Sequence, residues 1–261
     1  MSAAQPVTIV TGASAGIGTE LARVFARHGH RLLLVARRQD RLAQLAEEIA
    51  ARGHARPLIL PLDLAQPGVV ARIGEELAAQ GLEAEYLVNN AGFGLIGNAA
   101  ELSRDEQLAM IDLNVRALTD LSLGFVDSLA RRRGGILNVA SVAAFLPGPG
   151  MSVYYATKAY VLSFSEALHR ELRRKGIRVT ALCPGPVQTE FQLRAGILPG
   201  MASVLDQPAD RVAQAGYRGL MQGKRLVVPG GLNKVVTVLP RLFPRRLVLA
   251  VAHARQKNRG Q

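Results

Sequence analysis

The chain has 261 residues, 49% of them hydrophobic, one cysteine and a formal net charge of +12. Length and apolar content exclude global disorder and suit one large α/β domain, while a lone cysteine excludes an intramolecular disulfide framework. The charge does not imply nucleic acid: residues 211–261 hold 11 Lys/Arg and no Asp/Glu, the first 210 balance 21 basic against 20 acidic residues, and no homeodomain, zinc-finger or RNP-like signature is present.

Met1–Pro6 lacks the basic and apolar regions of a secretory leader, which with the single cysteine predicts a cytoplasmic protein. Val7–Val10 is a β-branched apolar run that reads as a buried strand. It enters Thr11-Gly12-Ala13-Ser14-Ala15-Gly16-Ile17-Gly18 and then a helical stretch with Leu21, Val24 and Phe25. Strand, glycine turn and helix together give a tight turn, close backbone approach and a helix N-terminus for a pyrophosphate. The alternative reading is a tight βα turn without a ligand.

The second strand, Arg31–Ala36, ends in Arg37-Arg38, where an NAD-binding site carries a carboxylate for the ribose 2′-hydroxyl. A guanidinium pairs with a 2′-phosphate, so this end favours NADP(H) over NAD(H), the alternative reading being two solvated arginines that cap the next helix. Gln39–Gly53 is an amphipathic helix with Leu42, Leu45 and Ile49 on one face, and Arg56–Leu62 is a third strand followed by Asp63-Leu64. Asp63 either contacts an adenine edge or caps the next helix, 67–81. Tyr86–Val88 is a fourth strand ending in Asn89-Asn90-Ala91-Gly92, whose amides can tie neighbouring strands and whose small residues leave room for a nucleotide. One long helix is expected over 104–131, with Asn114 as a polar interruption of poor helix propensity.

Gly135–Ala140 is a fifth strand that delivers Ser141. After Pro147-Gly148-Pro149-Gly150, expected to wall a substrate pocket, a helix over 154–175 places Tyr154 and Lys158 one turn apart on one face. A nearby cation makes a phenol easier to ionise, which suits proton transfer. Tyr155 lies off that face. The helix has more apolar surface than one face needs, compatible with a second subunit. Ile177–Leu182 is a sixth strand, ending at Cys183-Pro184-Gly185-Pro186-Val187-Gln188-Thr189; Cys183 reads as a core residue. Residues 187–207, with Phe191, Leu193, Ile197, Leu198 and Met201, have the composition of a lid. Asp210–Met221 is a helix and Arg225–Val228 a last strand.

Alternating strands and helices predict an α/β Rossmann-type fold: a single domain with a doubly wound parallel sheet of about seven strands flanked by helices. The catalytic part is placed at 1–230 and a basic apolar tail at 231–261. In that tail Leu232–Ala254 is broken by Pro240 and Pro244, and its apolar run Leu247–Ala252 is far short of the ~20 residues of a membrane span. The segment either packs on the body or on a partner subunit, or lies on an anionic membrane surface as basic amphipathic segments do.

In this order the motifs Thr11-Gly12-x-x-x-Gly16-Ile17-Gly18, Asp63-Leu64, Asn89-Asn90-Ala91-Gly92, Asn114, Ser141, Tyr154-x-x-x-Lys158 and Pro184-Gly185 resemble the short-chain dehydrogenase/reductase family over residues 7 to about 230. The resemblance implies an oxidoreductase interconverting a carbonyl and an alcohol on a small-molecule substrate; the apolar lid and tail favour a hydrophobic one, and the apolar helices favour a homodimer or homotetramer. It implies that Tyr154 is the general acid/base, that Lys158 lowers the phenol's pKa and holds the nicotinamide ribose, that Ser141 bonds the substrate oxygen, and that Asn114 positions a relay water. It places Gly12, Ser14, Gly16, Ile17, Gly18, Arg37, Arg38, Asp63, Leu64, Asn90, Ala91, Gly92, Pro184, Gly185, Val187 and Thr189 around the cofactor, with Arg37 at the basic position of NADPH-preferring members. Ala15 departs from the Arg or Lys that many of those members carry. Two alternatives are a peripheral membrane enzyme for lipid-like or steroid-like substrates and a non-enzymatic NADP(H)-binding regulator; the latter usually lacks the tyrosine or lysine, and this chain has both. No metal site is expected, since the five histidines have no ligand-like spacing.

Overall fold

The structure is a computed structural model that describes residues 4–195, 206–238, 243–244 and 246–250. β1 (Gln5–Thr11) leads through the glycine turn into α1 (Gly16–Arg27), then β2 (Leu32–Ala36), α2 (Gln39–Ala51), β3 (Leu58–Pro61) and α3 (Val69–Ala79). β4 (Leu82–Asn89) starts four residues before the expected Tyr86, because Leu82 and Ala84 face inward and their segment pairs with Gln5–Val7. The order is β3-β2-β1-β4-β5-β6-β7 with every pairing parallel, where β5 is Gly135–Val139, β6 Arg178–Leu182 and β7 Leu226–Val227. The chain reverses direction across the sheet between β1 and β4, and a crevice opens there at the strands' carboxyl ends.

The strands are apolar on both sides because both sides are covered. Val10, Leu34, Val88 and Leu137 pack with α1, α2 and the later helix α9 (Ala209–Met221). Ile9, Leu33, Leu87 and Ile136 pack with α3 and the helices that follow β4.

The single helix expected over 104–131 is divided. α4 (Arg104–Ile111) is capped by the Ser103 hydroxyl, which accepts from the Glu106 amide. A π-helical turn, Asp112–Ala117, carries Asn114, and α5 (Leu118–Gly124) gives way at Phe125 to α6 (Val126–Arg132). Gly124 allows this break to sit close to the neighbouring helix: a Cβ there would lie 2.5 Å from Val70 Cγ1. α7 (Ser152–Glu171) begins two residues before Tyr154 and ends in a 3₁₀ turn, Leu172–Lys175.

The expected lid is partly helical, as α8 (Glu190–Ala195); Ile197, Leu198 and Met201 lie outside the described residues. The tail opens with α10 (Gly231–Val238), while Pro240 and residues 251–254 lie outside them. No helix among the described residues is long and apolar enough to cross a membrane.

A chain of buried amides and hydroxyls crosses the sheet beneath the crevice. Asn89 Nδ2 on β4 donates to Ser122 Oγ on α5 and to Asn138 Oδ1 on β5, each at 2.9 Å. Asn138 Nδ2 donates to Ser165 Oγ on α7 at 2.9 Å. The expected tie between strand ends is therefore built by the Asn89 Nδ2 donors in a low-dielectric setting, while Asn89 Oδ1 is buried without a hydrogen-bond partner among the described residues.

Candidate active site

The crevice begins where β1 meets β4. Thr11 Oγ1 donates to the Val88 carbonyl at 3.1 Å and accepts from the Asn90 and Ala91 amides at 3.0 and 3.2 Å. Asn90 Nδ2 donates to the Thr11 and Gly12 carbonyls, both at 3.1 Å, and so holds the start of the glycine turn. Gly12 and Gly16 have φ of 63° and 56°, in the left-handed region that favours glycine. α1 starts behind Ala15, which supplies no side-chain cap, so its first-turn amides are open to an anion.

Gly18 does not line the crevice; it sets the depth of the turn behind it. A Cβ there would fall on the Gly12 carbonyl oxygen and the Asn90 amide. Gly18→Ala is expected to force these groups apart at a cost of about 1–3 kcal/mol. That corresponds to a fall in Tm of roughly 3–10 °C, read by thermal unfolding, together with weaker dinucleotide binding. An unchanged Tm would show that the turn gives way freely.

At the end of β2 the two arginines diverge. Arg38 pairs with Glu190 on α8 at 2.8 Å and donates to the Ser14 carbonyl at 3.2 Å. Arg37 is exposed, lines the crevice and has no ion-pair partner among the described residues. Asp63 also lines the crevice, and its Oδ1 accepts from the Ala65 amide at 3.0 Å; it does not cap the next helix as one reading expected, because the residue at the cap of α3 is Gly68, which supplies no side chain.

Across the crevice, Ser141 follows β5 and opens a 3₁₀ turn, Val142–Phe145, with its Oγ accepting from the Ala143 amide at 3.1 Å. On α7, Tyr154 and Lys158 are both buried, and the Lys158 Nζ sits 5.9 Å from the Tyr154 ring centroid. Nζ donates to the Val139 carbonyl at 2.8 Å, which leaves two of its three donors for other partners. Burial pushes the Lys158 ammonium down to about 8. Burial likewise pushes the Tyr154 phenol up to about 12, against the opposing hydrogen bond from Ser141. This corrects the expectation that Lys158 makes the phenol easier to ionise: in the chain by itself burial dominates and keeps the proton on Tyr154.

Asn114 stands behind these groups. Its Oδ1 accepts from the Phe93 amide at 3.1 Å, while Nδ2 donates to the Phe93 carbonyl at 2.9 Å and to Thr157 Oγ1 at 3.1 Å. An asparagine that competes for backbone hydrogen bonds is here used for that purpose, in a π turn whose hydrogen-bond register is already shifted. Gly92 leaves room for it, since a Cβ would lie 2.8 Å from Asn114 Oδ1. The Cys183 thiol, buried in an apolar cluster, is pushed up to about 12 by burial, which makes it an inert core residue.

Every residue selected from the sequence except Gly18 and Asn114 lines one cavity of about 1130 Å³. Its walls also carry Phe191 of the expected lid, and residues that sequence reasoning did not select: Val142, Leu146 and Met151 near Tyr154, and Val236, Phe243, Leu247 and Val248 from the tail. The tail's apolar composition was the available signal for the last four; nothing in it indicated a direction. Tyr155 reaches the cavity as well, resting on Gly148, which has no room for a side chain beneath the ring. The Pro/Gly loop thereby takes the wall position expected of it.

The cavity fits a dinucleotide by its own construction. An uncapped helix N-terminus and a glycine cradle suit a pyrophosphate, Arg37 has no ion-pair partner among the described residues, and Ala91 and Gly92 keep the middle open. Among the described residues no three His, Cys, Asp or Glu side chains gather as a metal-binding group.

Comparison with known proteins agrees with this geometry. Residues 6–196 match the sequence profile of the short chain dehydrogenase family. A curated relative, sulfoacetaldehyde reductase 2 from Chromohalobacter salexigens, is 37% identical over 193 residues, covering 72% of this chain and 75% of the relative. Among solved structures, a short-chain dehydrogenase from Sphingobium yanoikuyae in complex with NADPH superposes with a TM-score of 0.80 at 33% identity, over 97% of this chain and 94% of that one. The bulky-bulky ketone specific alcohol dehydrogenase from Comamonas testosteroni gives 0.76 at 29% identity, over 95% and 94%.

Proposed function

The chain belongs to the short-chain dehydrogenase/reductase family, and from that premise we propose that it is an NADP(H)-dependent oxidoreductase interconverting a carbonyl and an alcohol on an apolar small molecule. The observation that carries this reading is the meeting of Ser141, Tyr154 and Lys158 with the glycine cradle in one cavity. When bound, a nicotinamide dinucleotide supplies the hydride in reduction and takes it up in oxidation.

The chain's own part is proton transfer and placement. In reduction the substrate oxygen accepts hydrogen bonds from the Ser141 and Tyr154 hydroxyls. As charge develops on that oxygen, the phenol gives up its proton and the product leaves as the alcohol. A phenol held near 12 is fully protonated at neutral pH and ready for this step. Oxidation runs the transfer backwards and needs the phenolate. Lys158, tethered to the Val139 carbonyl, offers its remaining donors to the ribose hydroxyls, and Asn114 with Thr157 holds the base of the relay by which Tyr154 regains its proton. Gly12, Gly16 and Ile17 cradle the pyrophosphate, Asn90 and Thr189 flank the crevice, and Arg37 takes the 2′-phosphate.

Two lines support the phosphorylated cofactor: Arg37 has no ion-pair partner among the described residues, and the neighbour from Sphingobium yanoikuyae is in complex with NADPH. Arg37→Ala is expected to raise KM for NADPH about 10–100-fold, the loss of a charge-assisted pair, while NADH kinetics stay the same. Arg38→Ala should have a smaller effect, because Arg38 is already engaged by Glu190. Carbonyl-dependent oxidation of NADPH and NADH, followed side by side at 340 nm, tests the whole reading. Indifference of every tested ketone and aldehyde, or equal use of both nucleotides by wild type and Arg37→Ala, would overturn it. Exposed Leu108, Ile111, Leu123 and Tyr160, on α4, α5 and α7, support self-association.

A further inference from the structure

The family match ends at residue 196, yet the wall of the cavity continues into the tail. α10 is fixed to the body at the turn that follows β6. Buried Asn233 donates to the Pro229 carbonyl at 3.0 Å, and Gly185 leaves the space that the Asn233 side chain fills. α10 presents Val236 to the cavity. Beyond it, the Leu247 and Val248 amides donate to the Pro244 carbonyl at 2.9 and 3.3 Å, a helical turn that brings Phe243, Leu247 and Val248 to the same cavity. Facing them are Val142 and Leu146, from the turn that carries Ser141.

We propose that Val236, Phe243, Leu247 and Val248 form a distal apolar subsite, continuous with the reaction centre, that receives the bulky uncharged substituent of the substrate. The proposal rests on the oxidoreductase reading above and names the substrate class for that site. Phe243 and Leu247 are 51% and 55% exposed, so apolar surface at the cavity remains for a ligand to cover. The charge around the cavity points the same way. Arg37 and Arg38 line the cavity at the end of β2, and among its other described lining residues Lys158 is the one cation, spent on the reaction centre. Glu190 is paired with Arg38, and Glu106 would repel an anion. Among the described lining residues of this wall a carboxylate or sulfonate on the substrate would lose its water without gaining a counter-ion, whereas an aryl or alkyl group meets matched surface.

The test compares full-length wild type, Phe243→Ala, Phe243→Leu and Phe243→Ala/Leu247→Ala with NADPH and three probes: benzophenone, 2-butanone and sulfoacetaldehyde. Wild type should reduce benzophenone well and sulfoacetaldehyde poorly. The alanine variants should raise KM for benzophenone tenfold or more at nearly constant kcat. Phe243→Leu, which keeps apolar surface, should stay within about threefold. The 2-butanone kcat/KM, for a ketone too small to reach the subsite, should stay within twofold. Equilibrium dialysis of benzophenone against NADPH-loaded Tyr154→Phe protein, with and without Phe243→Ala, should show the same tenfold loss without turnover.

Benzophenone kinetics indifferent to the tail, or loss of both ketones together, would overturn the subsite while leaving the oxidoreductase reading in place. A wild type that reduces no probe with either nucleotide would overturn both. Unchanged benzophenone kinetics with loss of binding to phosphatidylglycerol vesicles in Phe243→Ala would assign the segment to a membrane surface instead.

Discussion

Tyr154→Phe is expected to lower kcat for carbonyl reduction by about 10²–10⁴-fold, the range for removal of a positioned general acid. NADPH affinity should stay within about twofold of wild type. The substitution keeps the ring, which packs at 5.4 Å from Phe191 and beside Gly94, where a Cβ would lie 3.1 Å from Tyr154 Cδ2. It removes only the hydroxyl that Ser141 addresses, so lost packing cannot account for lost turnover. The two reaction directions should also differ in pH response. With the phenol held near 12, reduction in the wild type has its proton in place throughout the neutral range. Oxidation depends on the phenolate and should quicken as pH rises from 7 towards 10. Stopped-flow single turnovers resolve both. A variant that keeps a third or more of wild-type kcat would remove Tyr154 from the chemistry.

Lys158→Met is expected to separate stability from activity. The buried ammonium has its pKa held at about 8, below its ordinary 10.5. At pH 7 it is protonated in both folded and unfolded chains, so folding carries the whole desolvation cost, roughly 3 kcal/mol for a shift of this size. Between pH 8 and 10.5 the folded protein sheds the proton while the unfolded chain keeps it. The unfolded state then binds more protons, and stability rises with pH. Above 10.5 the group is neutral in both states and the penalty is gone. Methionine fills a similar volume without the charge but leaves the Val139 carbonyl without its donor, which costs about 1 kcal/mol. The net gain at pH 7 is about 1–2 kcal/mol, or a Tm roughly 3–6 °C above wild type, and it should vanish by pH 10.5. Turnover should fall by at least the factor seen for Tyr154→Phe. A destabilised Lys158→Met protein at pH 7 would mean that the cation is stabilised in the fold rather than tolerated there.

Much of this architecture was legible because parallel strands covered on both faces leave uninterrupted apolar runs, as in Leu32–Val35, and the runs of β1, β4 and β6 end in turns with glycine or asparagine. The order of those turns placed both halves of the cavity before any coordinates. What escaped was whatever depends on burial or on distant contacts. The π turn at Asn114 is set by pairing with Phe93, twenty-one residues away, and helical periodicity carries no sign of it. The pKa of Tyr154 was misjudged because spacing reveals a neighbouring cation but not the water removed from both groups. Asn138 and Ser165 looked like ordinary strand and helix residues; only the sheet shows them joined. The tail's composition fitted several surfaces, and the cavity's lining shows which residues it contributes.

The buried chain from Ser122 through Asn89 and Asn138 to Ser165 has a kinetic consequence. It joins α5, β4, β5 and α7, the last of which carries Tyr154 and Lys158, so these elements cannot separate one at a time without stranding an amide away from water. Hydrogen–deuterium exchange should therefore find their core amides among the slowest in the molecule, released together in one global opening. α8 and α10 share no bond with that chain. Their amides should exchange by smaller and faster openings, so that substrate enters through a yielding roof while the proton donor waits on a floor that does not move.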